Sequence, residues 1–306
     1  MTLESLNRRI KTTSDLRDIV STMKMLSSVS VGQYEKALNS LTQYGQTIRD
    51  AFHGLFIQED FQYPSPPEIK GTPRILSIVI GSDNGLVGRF NRDLVQFTDR
   101  YLSEHYPDTK RRFIAVGKRI GLLSQSINVV PDMTYPISKS LKEIAPMSAL
   151  LLNKINETVT KHKIDAVYLF ANHKQGTTAF VPRARQIIPL PADQMQLLQR
   201  SKWNGRSLPL ITADMDELFS AFIREYLIVV LSHTLVSSLA SEHYTRMIHM
   251  QEAEKNIDES LETFHLEYQQ LRQTQITDEL IDIVSGAEEM NKQKVQSPLD
   301  FSKKKK

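Results

Sequence analysis

The stretch IDESLETFHLEYQQL, residues 257–271, sets Ile257, Leu261, Phe264, Tyr268 and Leu271 four, three, four and three positions apart. This is a heptad seam, the pattern of a helix that buries one narrow stripe against a second helix. The rhythm extends back through Leu218, Phe222, Tyr226 and Val229 and forward to Ile276, Leu280 and Ile283. No proline falls between Pro209 and Pro298, so nothing forces a break. The spacing predicts one helix over residues 213–290, on the order of 100 Å long at about 1.5 Å per residue. Compact chains of this size have a radius of gyration of only about 20 Å, so the helix must project from any globular part.

Such a helix needs a partner, and the start of the chain supplies the comparable seam. Leu3, Leu6, Ile10, Leu16, Val20 and Met23, then Tyr34, Leu38, Leu41, Tyr44, Ile48, Phe52 and Leu55, recur in mostly helical steps, weakened only by Gly32 and Gly45. Residues 1–60 are therefore read as one helix, or two closely joined, lying antiparallel against residues 213–290. The competing arrangement is a bundle in which both segments break and fold back. The missing prolines and scarce glycines favour the long pair.

Between the helices the pattern changes. A Pro- and Gly-rich hinge at residues 61–73 leads into 74–212, where apolar strand-like runs (RILSIVIGS, RRFIAVGK, DAVYLFANHK) alternate with amphipathic helical ones (NRDLVQFTDRYLSEH, SALLLNKINETVTKHK). A further extended pair is read in TTAFVPRARQIIPLP. Alternating strands and helices imply βαβ units on a mostly parallel sheet, so the fold class is mixed α/β with a long antiparallel coiled coil.

Composition narrows the function. Without cysteine there is no disulfide, thiol nucleophile or thiolate metal site. The net charge of +3 is uneven: the tail at residues 291–306 carries six Lys and one Asp, which leaves −2 for everything before it. A body this neutral offers no basic face for nucleic acid, and the tail reads as a solvated, disordered basic extension. The opening residues lack an apolar signal segment and carry Glu4, Asp15 and Asp18, which argues against a transit peptide. The most apolar run, YLIVVLSHTLVSSLA at 226–240, is too short and too interrupted to span a bilayer. The expectation is a soluble, cytosol-facing chain.

One stretch invites a nucleotide. GSDNGLVG, residues 81–88, follows an apolar strand and precedes a helix. It lacks the Lys-Ser/Thr of a phosphate-gripping loop and the Gly spacing of a dinucleotide turn, and Asp83 would repel a phosphate. His233, His243 and His249 do not stand at metal-ligand spacing on a helix, and no G-x-S-x-G elbow occurs. Acid pairs such as Asp258-Glu259 and Glu288-Glu289 read as solvated helix faces. No catalytic, cofactor or metal set assembles, which leaves a rod-bearing interaction protein.

Four segments resemble one family. LNRRIKTTSDLRDIVSTMKMLSSVS, GSDNGLVGRFN, SEHYTRMIHMQEAEKNIDE and LRQTQITDELIDIVSGAEEM stand in the order and spacing of the gamma subunit of rotary F-type ATP synthases, from about Leu3 to Met290. The resemblance implies a Rossmann-like α/β domain beside the coiled coil and a central-stalk rotor. Such a rotor carries rotation between a membrane ring of c subunits and a catalytic ring of three alpha and three beta subunits, coupling ion flux, of H⁺ or Na⁺, to ATP synthesis or hydrolysis. It implies an epsilon subunit as further partner, peripheral placement on the cytoplasmic face of the cell membrane, no cofactor, and chemistry done by the beta subunits. Its bearing and catch contacts with the alpha/beta ring fall on Met23, Arg272, Gln273, Thr277 and Glu279. The rim of the Gly-rich loop, Asn84 and Arg89, is expected to touch the ring or epsilon. The alternative is a non-rotary coiled-coil scaffold.

The chain departs from the family pattern in places. The usual basic segment after Met25 reads VSVGQYEKA with Lys36 its only cation, Val87 replaces a common loop Cys, and the tail overshoots the usual end. These changes suggest a divergent, alternative bacterial-type enzyme.

Overall fold

The computed structural model describes residues 2–57, 72–107, 109–125, 129–137, 140–175, 178–191, 194–196 and 210–295. The expected hinge lies outside them except for Thr72 and Pro73, as does the expected tail beyond Val295. The chain forms two compact units: Met23–Met250, and Met1–Thr22 with Gln251–Lys306. Two helices, α1 (Leu3–Phe56) and α5 (Met215–Val295), contribute to both.

The larger unit is built on a five-stranded sheet. Its strands are β1 (Arg74–Ile80), β2 (Lys110–Val116), β3 (Met133–Tyr135), β4 (Ala166–Gln175) and β5 (Thr178–Ile188), in the order β3-β2-β1-β4-β5. The first four run parallel, with Ile78 of β1 level with Ile114 of β2 and Leu169 of β4. β5 closes the edge antiparallel to β4. Pro182 sits opposite Asn172 in β5, an edge strand, where proline is tolerated. The central strands read as continuous apolar runs because both faces are covered.

Alternation along the strands separates two cores. Ile75 and Val79, Phe113 and Ala115, and Ala166, Tyr168 and Phe170 face α2 (Phe90–His105) and α3 (Lys118–Ser124), meeting Leu94, Val95, Leu102 and Ile120. The neighbouring residues Leu76, Ile78, Ile80, Ile114, Val116, Val167, Leu169 and Ala171 face the other way. They meet Leu151, Leu152 and Ile155 of α4 (Ile144–His162) together with Ile48 and Phe52 of α1 and Leu231, Leu235 and Leu239 of α5. The lower part of the helix pair thus takes the place of a covering helix layer. An 18-residue window of α5 reaches a mean hydropathy of 1.4, and half of it is buried within the protein.

In this unit α1 and α5 run antiparallel. Phe52 meets Phe219 and Phe222, the Tyr44 hydroxyl donates to Glu225, and Tyr34 meets His243. Tyr44, expected in the seam, is instead 44% exposed, and Gly45 is buried in its place. A Cβ on Gly45 would lie 3.5 Å from Val229 Cγ1, so the small residue lets the helices approach.

In the smaller unit the heptad stripe takes the form the sequence predicts. Ile257, Leu261, Phe264, Tyr268 and Leu271 are all half-buried, while the residues between them are mostly exposed. The guanidinium of Arg9 stacks over Phe264 and that of Arg17 pairs with Asp258, again in antiparallel sense. Asp258 is therefore a cross-helix partner as well as a solvent-exposed charge. Leu16 is also displaced from its expected seam place, at 50% exposed; the seam runs through Leu6, Ile10, Thr13 and Val20. The extended pair expected at 177–191 is a single strand, β5. β3 and α3 are additions that the sequence patterning did not reveal.

Candidate functional site

The Gly-rich loop leaves β1 where the strand order reverses, since β2 lies on one side of β1 and β4 on the other. Doubly wound sheets bind ligands in the crevice at that point. Here the chain's own groups close it. Asp83 Oδ1 accepts from the backbone N–H of Lys118 (2.8 Å), the first residue of α3, and from that of Ile137 (3.2 Å). The carboxylate occupies the end of a short helix where a ligand anion would otherwise sit. It ties together three chain segments, which is a stronger reason for an acid at this place than repulsion of a phosphate.

The rest of the loop is equally committed. The Ser82 N–H donates to Asn91 Oδ1 (2.9 Å), Asn91 Nδ2 donates to Ser82 Oγ (2.8 Å), and Ser82 Oγ donates to the carbonyl of Asn84 (2.8 Å). The Gly81 N–H donates to the Val116 carbonyl at 2.9 Å. Gly81 and Gly117 are glycines for reasons of space. A Cβ on Gly81 would fall 2.3 Å from Ile120 Cγ1, and one on Gly117, at φ +110, would fall 2.9 Å from Ser82 backbone.

α5 covers the loop from the other side. Ser238 Oγ donates to the Ile80 carbonyl (3.1 Å), Arg246 Nη2 donates to the Gly85 carbonyl (3.4 Å), and the His249 ring stands where a Cβ on Gly88 would be. Arg246 is itself buried and pairs with buried Glu242 at 2.6 Å, one helical turn away. Burial, with Arg246 nearby, lowers the pKa of His243 to about 4. Burial, reinforced by Glu242, raises that of Tyr34. This buried polar cluster lies in SEHYTRMIHM; Glu and Arg four apart inside an apolar helix was the signal that could have located it.

The expected contact residues are divided between the units. Met23 is half-buried on α1 in the larger one. Arg272, Gln273, Thr277 and Glu279 all lie exposed on α5 in the smaller one. Thr277 Oγ1 donates to the Gln273 carbonyl (2.9 Å) and Glu279 accepts from Gln275 (3.2 Å). With about 3.6 residues per turn, Arg272 and Glu279 share one stripe, and Gln273 and Thr277 share the next. From Arg272 to Met290 every residue is exposed. Among them Ile276 (48%), Leu280 (57%) and Ile283 (68%), four and three apart, form an exposed apolar stripe of their own, five residues past Leu271, the last half-buried member of the heptad seam. On the loop, Asn84 and Arg89 are exposed, and Arg89 pairs with Asp93 at 3.1 Å. Among the described residues no three His, Asp or Glu side chains gather as a metal site.

A family model described as ATP synthase matches residues 2–290. The ATP synthase gamma chain of Staphylococcus aureus strain JH9 is 25% identical over 292 residues, covering 93% of this chain and 98% of the relative; that of strain Newman is equally similar. Among solved structures, the fold is similar to a chain of the Euglena gracilis mitochondrial ATP synthase OSCP/F1/c-ring in rotational state 3. There the TM-score is 0.62 at 16% identity, covering 99% of each chain. A chain of the Tetrahymena thermophila mitochondrial ATP synthase central stalk/c-ring gives a TM-score of 0.54 at 20% identity, covering 77% of this chain and 99% of that one.

Proposed function

The chain belongs to the ATP synthase gamma family, and on that ground we propose that it is the central-stalk rotor of a rotary F-type ATP synthase. It turns with a membrane ring of c subunits, with the epsilon subunit beside it, and carries that rotation into a ring of three alpha and three beta subunits. Rotation of an asymmetric helix pair drives the beta sites through the states that bind, make and release ATP. The chain performs no chemistry itself, and it works as a peripheral protein on the cytoplasmic face of the membrane.

The observation that carries this reading is the end of α5. A folded chain does not ordinarily leave a stripe such as Ile276, Leu280 and Ile283 uncovered over about two turns. A collar of surrounding subunits gives that stripe its cover. The polar stripes beside it, Arg272 with Glu279 and Gln273 with Thr277, suit a surface that must slide, because exposed ion pairs hold only about 0–1 kcal/mol and exchange readily. An Arg at position 272 pairs with acidic loops of the ring and lets them go as it turns. The closed crevice at Asp83 supports the absence of a nucleotide role. Asn84 and Arg89 are left as a rim for contact with the ring or epsilon, and crosslinking from either position tests that contact.

Purification of the complex through a tag on this chain is expected to yield one copy for every three alpha and three beta chains. Equal copy numbers would reject a central shaft. Removal of residues 291–306 is expected to leave assembly intact.

A further inference from the structure

Away from the loop and the helix tip, the larger unit holds a cationic cavity. It measures about 150 Å³ and lies where α1, α5 and β5 meet, lined by Thr42, Gly45, Arg49, Arg185, Tyr226 and His233 among others. Three of these carry or can carry positive charge, and they come from three different elements: Arg49 from α1, Arg185 from β5 and His233 from α5. Arg185 is oriented by the Tyr226 hydroxyl (3.2 Å) and by Gln194 (3.4 Å). Arg49 donates through Nε and Nη2 to Gln46 Oε1 at 3.2 and 2.7 Å.

Among the described residues no carboxylate lines this cavity. The acids adjacent in sequence to its lining residues are engaged elsewhere: Asp50 accepts from Gln46 (2.8 Å) and Glu225 from Tyr44 (2.8 Å). Burial and the charge of Arg185 both press His233 toward its neutral form. His173, bonded to Ser237 at 2.8 Å, is lowered to about 4 by burial, with His233, Arg183 and Arg185 adding to the effect. The described lining is therefore cationic, with Arg49 and Arg185 as its permanent charges. Two guanidinium groups from separate elements lining one cavity, one of them held by a tyrosine hydroxyl, suit oxyanion recognition.

We propose that this cavity binds a small oxyanion of the phosphate class, held between Arg49, Arg185 and His233. Its volume is well below the roughly 300–1,000 Å³ of sites for drug-sized ligands, which selects a single phosphate group over a nucleotide. Because its three ligands belong to α1, β5 and α5, a bound anion cross-links both long helices to the sheet edge and stiffens the base of the helix pair. The phosphate group can be a free ion or the head of an ester.

The test is titration of the full-length chain with inorganic phosphate and with glycerol 3-phosphate, by calorimetry at constant ionic strength, with chloride as the reference. Saturable binding of either phosphate beyond the chloride response supports the site. Stronger binding of the free ion, or of the ester, identifies the source. Arg49→Gln is expected to weaken binding about tenfold, the loss of one charge-assisted hydrogen bond, without unfolding a chain in which Arg49 is only partly buried. Arg185→Gln is expected to weaken it at least as much. No binding beyond chloride, or full binding retained by Arg49→Gln, overturns the proposal.

Discussion

One helix, α5, behaves in two ways along its length. Between residues 226 and 250 most of its apolar side chains, among them Leu231, Leu235, Val236 and Leu239, are buried. Between residues 272 and 290 every side chain is exposed, although Ile276, Leu280, Ile281, Ile283 and Val284 are as apolar as any in the first stretch. The difference is not in the residues but in what the chain provides to cover them. The first stretch has a sheet, α4 and α1 around it, and the last has no cover among the described residues of its own unit. Stability is therefore concentrated in the larger unit. The smaller unit carries apolar surface that adds little to this chain's own stability and is available to other subunits.

Substitutions should break that comparison unevenly. The largest effect is expected from Arg246→Ala, which leaves buried Glu242 without its 2.6 Å partner and removes the donor to Gly85. Removing the ion-pair partner of a buried carboxylate costs up to about 3–5 kcal/mol, to be read as a fall in the denaturant midpoint of the isolated chain. Leu231→Ala, at 0% exposure, is expected to cost about 2–5 kcal/mol by the same measurement. Ile283→Ala, the same kind of truncation at the other end of the helix, is expected to cost under about 0.5 kcal/mol in the isolated chain. It should weaken assembly with the alpha/beta ring instead. Comparable losses from Leu231→Ala and Ile283→Ala would contradict the division of labour.

Acid should act through the buried histidines of the larger unit. Burial holds His173 and His243 at about 4 in the folded chain, against about 6.5 when unfolded. As pH falls, the unfolded chain takes up protons first. The stability these neutral rings represent is complete above about 6.5 and is lost progressively down to about 4. Thermal unfolding followed across that window should show the decline, and His243→Gln should flatten it. A smaller effect belongs to the loop: Asp83→Ala removes the acceptor for two backbone amides and is expected to cost about 1–3 kcal/mol.

The sequence disclosed these regions in unequal measure. The stripe from Ile257 to Leu271 was fully legible, since a two-helix seam is a local repeat and each of its five members is half-buried. α1 was legible as a helix but not in its detailed facing. Leu16 and Tyr44 are apolar at helical spacing yet point outward, because Thr13 and Gly45 take the inner positions and only the partner helix decides which are needed. β3 and α3 span three and seven residues, too few for periodicity to register. The role of Asp83 depends on Lys118 and Ile137, which are 35 and 54 residues away, and no local reading could have joined them. The Glu242–Arg246 pair stood in plain sequence at i,i+4, but its burial depends on the loop that α5 covers.

The central claim is that the chain turns within its complex. The direct measurement fixes the alpha/beta ring to a surface, attaches a probe to this chain at an exposed position such as Arg89, and follows the probe on addition of ATP. Stepwise unidirectional rotation that stops when ATP is withdrawn is the predicted result. A probe that stays at one angle while the complex hydrolyses ATP would contradict the account and assign the helix pair a static role.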